Sequence, residues 1–215
     1  MADRPGTIAV VDYGMGNLRS VWQALVRVAG GREVVVTDDP AVVAAAGRVV
    51  VPGQGAMPDC MRELDARGLR PAVLEAAREK PFLGICIGLQ MLFEWSEEGD
   101  VPGLGVLAGR VRRFPAERMT QDGVRLKVPH MGWNEVAQDR PHALWNAIGD
   151  GTRFYFVHSY YVDPAERACA VGGTRYGIPF TSAVARDNIF AIQCHPEKSA
   201  QAGLALLSNF VEWSP

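Results

Sequence analysis

The hydrophobic pattern of the first ninety residues alternates between short apolar runs and segments of helical spacing. The runs at 7–11, 34–36, 49–51 and 81–85 predict strands buried in a sheet. Apolar residues recur at helical spacing in two segments, Leu18, Val21, Trp22, Leu25 and Val28 in the first, and Val73, Leu74 and Ala77 after Pro71 in the second. This alternation predicts an α/β fold with a doubly wound parallel sheet and chemistry at the carboxyl ends of its strands.

The pattern changes after residue 103, where apolar stretches mark short strands joined by turns. The predicted strands cover residues 110–114, 154–158, 168–171, 182–185 and 189–193, with a turn at 186–188. Leu204, Leu206, Leu207 and Phe210 predict a closing helix that ends at Trp213. Because no repeat, linker or low-complexity tract interrupts the chain, we expect a single domain over residues 1–215.

The composition excludes several classes of protein. The 215 residues are 48% hydrophobic and 21% charged with a net charge of −2, which predicts a globular domain without a basic surface for nucleic acid. No apolar run has membrane-spanning length, and residues 1–6 lack the features of a signal peptide, so we expect a cytoplasmic protein with no membrane partner. The four cysteines are scattered and form no C-x-x-C pair, which argues against a disulfide framework and a structural zinc site.

The segment Gly84-Ile85-Cys86-Ile87-Gly88 has the pattern of a nucleophile elbow, in which a sharp strand-to-helix turn exposes the nucleophile. Free N–H groups at the start of the helix would favour a negative sulfur and receive an oxyanion. The apolar residues that follow predict that this helix continues, through Leu89, Met91, Leu92, Phe93 and Trp95. A buried cysteine without such glycines is more often an inert packing residue, so the two glycines carry the prediction of acyl chemistry at Cys86.

A thiol nucleophile needs a base, and the chain has four histidines: His130, His142, His158 and His195. Among them only His195 has a carboxylate two residues further on, Glu197, after a predicted strand. Residues i and i+2 of an extended chain face the same side, so Glu197 would orient the imidazole ring. A His-x-Glu pair alone is more often a pair of surface residues without a catalytic role. Together with the elbow, it predicts a triad.

Two further patterns allow alternative interpretations. Gly14-Met15-Gly16 resembles the start of a dinucleotide fingerprint, but Arg19 stands where the third glycine belongs, which favours a tight turn at a strand end. The basic cluster of Arg110, Arg112 and Arg113 is predicted to be a solvated strand face, with an acidic patch on a partner as the alternative.

Nearly end to end, the chain resembles class I, triad-type glutamine amidotransferases, and among them the glutaminase subunits of imidazole glycerol phosphate synthase. The elbow and His195-Pro196-Glu197 indicate the superfamily. Three other segments indicate this subunit: residues 12–18 (DYGMGNL), 130–134 (HMGWN) and 155–161 (YFVHSYY). The resemblance implies a flavodoxin-like three-layer fold, with a mostly parallel central sheet, helices on both faces and an additional antiparallel region in the carboxyl-terminal half.

The resemblance also implies a role for each matched position. Cys86 would be the nucleophile, His195 the general acid and base, and Glu197 its orienting partner. The backbone N–H groups of Gly53 and Ile87 would form the oxyanion hole. The residues implied to bind glutamine are Gly55, Gln90, Ser159 and Tyr160. No metal or cofactor is implied.

The implied function is hydrolysis of L-glutamine to glutamate and ammonia through a Cys86 thioester. The ammonia would pass to a separate cyclase subunit, in a heterodimer that makes imidazole glycerol phosphate and an aminoimidazole carboxamide ribotide in histidine biosynthesis. Candidates for the partner face are Met131, Trp133, Asn134, Tyr155 and Lys198, with core packing the alternative for Trp133. The alternative functions are a glutaminase serving another acceptor, such as a pyridoxal phosphate synthase, and a non-catalytic binding module.

Two positions depart from the family pattern. Gln54 places an amide in the oxyanion loop where relatives carry a small aliphatic residue. Cys194 places a second thiol beside His195 where an aromatic residue is expected, and we predict that it is a buried packing residue.

Overall fold

The fold is built on one large mixed sheet with helices packed against it. In the computed structural model, the chain is described from residue 4 to residue 215, and its side chains from residue 6, so part of the amino-terminal segment 1–6 considered above lies outside the described residues. The strands are β1 Arg4–Val11, β2 Val34–Thr37, β3 Ala46–Gly53, β4 Phe82–Cys86, β5 Phe93–Ser96, β6 Val101–Pro102, β7 Leu107–Arg113, β8 Thr120–Gln121, β9 Val124–Arg125, β10 His130–Val136, β11 Thr152–His158, β12 Tyr160–Pro164, β13 Ala170–Tyr176, β14 Ile178–Arg186 and β15 Ile189–Ile192. The helices are α1 Leu18–Val28, α2 Pro40–Ala45, α3 Met57–Ala66, α4 Arg70–Glu79, α5 Ile87–Gln90 and α6 Ala200–Glu212.

The large sheet has 11 strands, ten of them in the order β2-β1-β3-β4-β15-β14-β12-β7-β5-β6, with β13 paired to β14. Its first five strands run parallel to one another, and β14, β12 and β7 continue the sheet in antiparallel pairs. Strands β10 and β11 form a separate antiparallel pair. The predicted change from a parallel sheet to antiparallel strands is therefore confirmed.

The core lies around the middle of the parallel region. Every residue of β4 and β15 is buried, because both strands have a neighbour on each side and helices cover the sheet. The prediction of a buried strand at 34–36 is wrong for one face, since β2 is the edge strand and Val36 is 41% exposed. The predicted helices α1, α4 and α6 are confirmed, with α1 packed on α6 and α2 packed on α4.

The prediction of a long helix after Cys86 is wrong. Helix α5 ends at Gln90, and the chain turns into β5, which pairs with β7. Two backbone hydrogen bonds tie this stretch to the start of β7 and the segment before it. Leu104 N donates to Met91 O, and Leu107 N donates to Leu92 O. A continuous apolar run is compatible with both a helix and a buried strand, so pairing with a distant segment decides the outcome.

Between residues 4 and 215, no helix combines the length and the apolar character needed to cross a bilayer.

Candidate active site

Cys86 occupies a strained turn between β4 and α5. Its backbone has φ 56° and ψ −107°, a conformation that non-glycine residues rarely adopt. A Cβ atom at Gly88 would lie 1.8 Å from the Val51 carbonyl oxygen, and one at Gly84 would lie 2.8 Å from the Gly88 carbonyl oxygen. Both glycines are therefore required by close backbone approach, as the nucleophile-elbow pattern predicts. Helix α5 has only four residues, so free N–H groups contribute more here than a helix dipole does.

The sheet brings His195 to the nucleophile. Strand β15 lies parallel to β4 with Ile192 opposite Ile85, so the carboxyl ends of the two strands are adjacent. Cys86 ends one strand, and His195 follows shortly after the other. Both side chains are almost completely buried, at 4% and 2% exposed, and the sulfur is close enough to act electrostatically on the ring.

Glu197 holds the imidazole ring in place. His195 Nδ1 lies 2.8 Å from Glu197 Oε1, and the two side chains are 2% and 1% exposed. The chain is not extended here, as the i, i+2 argument assumed. Residues Pro196–Lys198 form a single 3₁₀ turn, which brings the carboxylate back under the ring. The Ser199 hydroxyl donates to the His195 carbonyl oxygen at 2.6 Å and fixes this turn.

The electrostatic surroundings favour the charged form of His195. Burial is the largest influence and opposes protonation, but the Cys86 and Glu197 side chains together outweigh it and raise the pKa of His195 to about 10. With Nδ1 bound to the carboxylate, Nε2 is the ring atom left for chemistry. Within residues 4–215, Nε2 has no hydrogen-bond partner of normal geometry. The arrangement therefore places a thiol that can act as a nucleophile beside an imidazole that can donate a proton.

A cavity of about 390 Å³ opens beside these residues. It is large enough for an amino acid of modest size. Most of the residues proposed from the sequence line it, namely Gly55, Cys86, Ile87, Gln90, Ser159, Tyr160, His195 and Lys198, together with Gln54, Glu98, Pro129, Val157 and His158. Gly53 and Glu197 lie behind this lining.

The loop after β3 is held from beneath. The Tyr13 hydroxyl, fully buried, donates to the Pro52 carbonyl oxygen at 2.7 Å, and the Cys60 thiol donates to the Gln54 carbonyl oxygen at 3.7 Å. Val49 N bonds to Pro81 O, and backbone groups alternate along a strand, so the N–H of Gly53 also faces β4. In this conformation the Gly53 peptide has to turn before its N–H can receive an oxyanion.

The Gly14-Met15-Gly16 segment packs on the same loop. A Cβ atom at Gly16 would lie 3.6 Å from Gln54 N, and one at Gly55 would lie 2.6 Å from Met15 Cε. Gly14 and Gly16 both have positive φ, as a tight turn requires. These contacts support the tight-turn hypothesis over a nucleotide site, because the turn is covered by the protein's own backbone.

Gln90 faces the far side of the cavity. Its Nε2 donates to the Tyr160 carbonyl oxygen and to Gln193 Oε1, both at 3.1 Å. Its Oε1 is buried and has no protein partner in the described part of the chain. An acceptor in this position is satisfied when a ligand brings a donor into the cavity.

A buried pair of histidines supports the Tyr160 backbone. His158 Nδ1 lies 2.7 Å from the Tyr160 carbonyl oxygen, which only accepts, so Nδ1 carries the proton. His158 Nε2 then accepts from His130 Nδ1 at 3.1 Å. Burial lowers the pKa of His158 to about 3 and that of His130 to about 4, so both rings are neutral near pH 7. Together they form an uncharged, hydrogen-bonded pair that supports the Tyr160 backbone behind the cavity.

The sequence argument gave no role to three residues at the site: Glu98, His158 and Gln193. Glu98 lines the cavity and accepts from Met57 N at 2.9 Å, and burial raises its pKa. It follows a strand that the sequence pattern mistook for a helix, so no local signal marked it. Gln193 offered a weak signal, since it is a polar residue at the end of an apolar strand.

The candidate partner residues form an exposed patch on β10 and β11. Met131 is 63% exposed and Trp133 is 45% exposed, so the core-packing alternative for Trp133 is wrong. The Trp133 and Tyr155 rings lie 6.3 Å apart edge to face. Asn134 is half-buried on the opposite face of β10, where its side chain donates to the Arg175 carbonyl oxygen at 2.9 Å. Lys198 reaches the cavity rim. An exposed tryptophan and methionine beside a cavity are typical of a protein interface.

The remaining predictions concern residues away from the chemistry. Arg110, Arg112 and Arg113 are exposed, and Arg112 pairs with Asp163 at 2.7 Å, which confirms a solvated strand face. Cys194 is completely buried, and burial raises the pKa of its thiol well above the usual range, as suits a packing residue. Among residues 4–215, no three His, Cys, Asp or Glu side chains converge in a way that would hold a metal ion.

Comparison with known proteins identifies the protein family to which the chain belongs. A model of the glutamine amidotransferase class-I family matches residues 9–213, and the chain belongs to this family. It is 72% identical over 210 residues to imidazole glycerol phosphate synthase subunit HisH of Dechloromonas aromatica (strain RCB), covering 97% of each chain. It is 68% identical over 209 residues to the subunit of the same name from Aromatoleum aromaticum (strain DSM 19018 / LMG 30748 / EbN1), covering 97% of this chain and 99% of that one.

Solved structures show the same fold. The structure of PurLQS from Thermotoga maritima superposes with a TM-score of 0.70 at 19% identity, covering 95% of this chain and 96% of that chain. At this identity the likeness concerns the fold alone, and it agrees with the predicted class I amidotransferase architecture.

Replacing Glu197 with glutamine tests the electrostatic account of His195. The Glu197→Gln variant keeps the shape of the side chain but removes one of the two charges that oppose the burial penalty, the other being that of Cys86. We expect the His195 titration midpoint, followed by the NMR signal of its ring protons, to fall below its wild-type value of about 10. An unchanged midpoint would contradict this account, and the signals of His130, which does not contact Glu197, serve as an internal control.

Proposed function

We propose that the chain is the glutaminase subunit of an imidazole glycerol phosphate synthase, which hydrolyses glutamine and supplies the ammonia to a separate cyclase subunit. The observation that carries the hydrolytic activity is the convergence of Cys86 with the buried His195–Glu197 pair at a cavity of amino-acid size. Identities of 61–72% with proteins named as this subunit support the specific assignment. The whole chain, residues 1–215, acts as one amidotransferase domain.

The reaction has two steps, attack of Cys86 on glutamine and hydrolysis of the resulting thioester. The Cys86 sulfur attacks the side-chain amide carbon of glutamine, and the oxyanion binds to Ile87 N–H and, once its peptide has turned, to Gly53 N–H. His195 gives its Nε2 proton to the departing ammonia, which leaves a glutamyl thioester. His195 then takes a proton from water, the resulting hydroxide attacks the thioester, and glutamate leaves as the Cys86 thiolate is restored. Glu197 keeps the ring oriented through both steps.

Recognition of glutamine requires groups that complement a zwitterion. Glu98 is an acidic side chain in the cavity lining, and one of its oxygens stays available while the other accepts from Met57 N. We assign the α-ammonium group of glutamine to Glu98 and to the unpaired Oε1 of Gln90. Backbone and side-chain groups of Gly55, Ser159 and Tyr160 line the part of the cavity assigned to the α-carboxylate.

The exposed patch of Met131, Trp133 and Tyr155 is the proposed docking face for the cyclase subunit. Ammonia released into neutral water becomes ammonium, which is not nucleophilic, so transfer through a dry contact preserves its reactivity. A patch beside the cavity suits this requirement, and Lys198 lines the cavity. We assign the heterodimer to the cytoplasm, where unpaired cysteines such as the four found here stay reduced.

The alternatives raised by the sequence have less support. A binding module without catalysis does not require a strained cysteine or an unpaired imidazole nitrogen, and both are present. A glutaminase that serves another acceptor is disfavoured because the relatives of high identity share the name of the imidazole glycerol phosphate synthase subunit.

Loss of the nucleophile separates the two half-reactions. In a coupled assay with purified cyclase subunit and its nucleotide substrate, we expect the Cys86→Ala variant to lose glutamine-dependent synthesis completely. Synthesis from ammonium salts should remain at the wild-type rate, because the cyclase chemistry does not involve Cys86. Glutamine-dependent synthesis by a folded Cys86→Ala variant would overturn the proposed mechanism.

A Glu98→Gln variant tests recognition of the α-ammonium group. Glutamine at this position still accepts from Met57 N but lacks the negative charge, so we expect KM for glutamine to rise about tenfold with a smaller change in kcat. Burial raises the pKa of Glu98 above its usual 4.5, so the wild-type carboxylate loses its charge as the pH falls. KM of the wild type should therefore rise at mildly acidic pH, while KM of the variant should not. Parallel pH profiles for the two proteins would contradict the assignment.

Substitution of Trp133 tests the docking face. Because Trp133 is exposed in the isolated chain, a Trp133→Ala variant should fold normally and bind the cyclase subunit at least tenfold more weakly in calorimetry. Val124→Ala, which removes another exposed apolar side chain away from the patch, is the matched control. Equal affinities of all three proteins would remove Trp133 from the interface.

A further inference from the structure

Gln193 is a completely buried amide that contacts the nucleophile. It lies between the end of β15 and the catalytic histidine, and its backbone N–H donates to the Ser182 carbonyl oxygen at 2.8 Å. Its side-chain Nε2 donates to Cys86 Sγ at 3.6 Å, a usual length for a hydrogen bond to sulfur. The hydrolytic mechanism above leaves this contact unused.

The orientation of the Gln193 amide follows from its neighbours. The Tyr160 carbonyl oxygen only accepts, so the Gln90 side-chain atom that faces it is the donor Nε2. The same Nε2 faces Gln193 at 3.1 Å, so the Gln193 atom there has to be the acceptor Oε1. The Gln193 Nε2 is therefore the atom left beside the sulfur, and the chain of bonds from the Tyr160 backbone excludes the flipped amide.

The other titratable groups near the sulfur donate their hydrogen bonds to different acceptors, stay uncharged or change their charge during the reaction. The titratable side chains that interact electrostatically with Cys86 are Tyr13, Cys60, Cys194 and His195. The Tyr13 hydroxyl donates to Pro52 and the Cys60 thiol to Gln54, and burial raises the pKa of the Cys60 and Cys194 thiols, which therefore stay uncharged. The charge on His195 changes during the reaction, because its proton is passed to ammonia. Gln193 is the neighbour that offers a neutral donor throughout.

We propose that Gln193 is a catalytic residue that stabilises the Cys86 thiolate through its fixed side-chain N–H. The proposal deepens the proposed function, since it rests on Cys86 as the nucleophile. The donor acts twice. It favours the thiolate before attack on glutamine, and it stabilises the same thiolate as the leaving group when the tetrahedral intermediate of thioester hydrolysis collapses, the C–S bond breaks and the electron pair stays on sulfur.

The test measures the reactivity of Cys86 without glutamine or a partner. The rate of iodoacetamide alkylation at Cys86 is followed by peptide mass spectrometry between pH 5 and pH 10, since alkylation reports the thiolate fraction. A Gln193→Met variant keeps the side-chain length but has no donor. We expect the midpoint of its alkylation profile to move upward by about one pH unit, which is about a tenfold slower reaction on the rising limb.

A Gln193→Glu variant and a control complete the design. Glutamate still accepts from Gln90, but it places a negative charge beside the sulfur, so its midpoint should move upward further than that of the methionine variant. A Thr174→Val variant removes a different buried hydrogen bond, to Ser182, and should keep the wild-type midpoint. If the methionine variant fails to fold by circular dichroism, a Gln193→Leu variant, which also lacks the donor and adds no charge, takes its place.

An unchanged midpoint in either folded Gln193 variant would overturn the proposal, because a purely structural role for the amide does not move a titration. This failure differs from failure of the proposed function, which would appear as no glutamate release by the wild type with its cyclase partner. The alkylation profile is measured in the isolated chain, so it stays informative in both cases.

Discussion

The active site depends on one constraint, the parallel pairing of β4 with β15 in the middle of the sheet. Cys86 ends the first strand and His195 follows the second, so the register that places Ile85 opposite Ile192 also sets the distance between sulfur and imidazole. The close contacts at Gly84 favour that register, because a shift by one residue would place a side chain where a Cβ atom would lie 2.8 Å from the Gly88 carbonyl oxygen and 3.0 Å from Ala191 Cβ. The rest of the site, from the Glu197 turn to the Gln193 amide, is attached to this pair of strands.

Around that pair, the protein uses backbone contacts more than side-chain contacts to hold the reactive groups. The Val51 carbonyl lies where any side chain at position 88 would be, and the Ser199 hydroxyl holds the turn that carries Glu197. The cavity is bordered by polar groups that each have a fixed direction, because buried amides and neutral imidazoles are bonded in chains that end at backbone carbonyls. Such an arrangement restricts motion of the triad.

The sequence predicted the parts of the structure that follow from local pattern. The parallel sheet, the elbow at Cys86 and the closing helix have strong signals, since glycine spacing and apolar periodicity are properties of short segments. The sequence misled where a distant segment decides the local structure. Residues 93–96 form a strand because their backbone pairs with β6 and β7. Glu197 reaches His195 through a 3₁₀ turn and not through an extended chain. The place of Glu98 at the cavity, and of Gln193 against Cys86 and Gln90, follows from the folded structure.

The strained turn at Cys86 acquires its neighbouring side chains late in the synthesis of the protein. Its φ of 56° is maintained by packing between β3, β4 and α5, and the partners of its sulfur come from the far end of the chain, after β15. During synthesis, a ribosome-bound chain that lacks residues 189–197 holds an ordinary thiol with neither imidazole nor amide beside it. The imidazole and amide neighbours of the sulfur therefore arise only when the last strand of the sheet is in place.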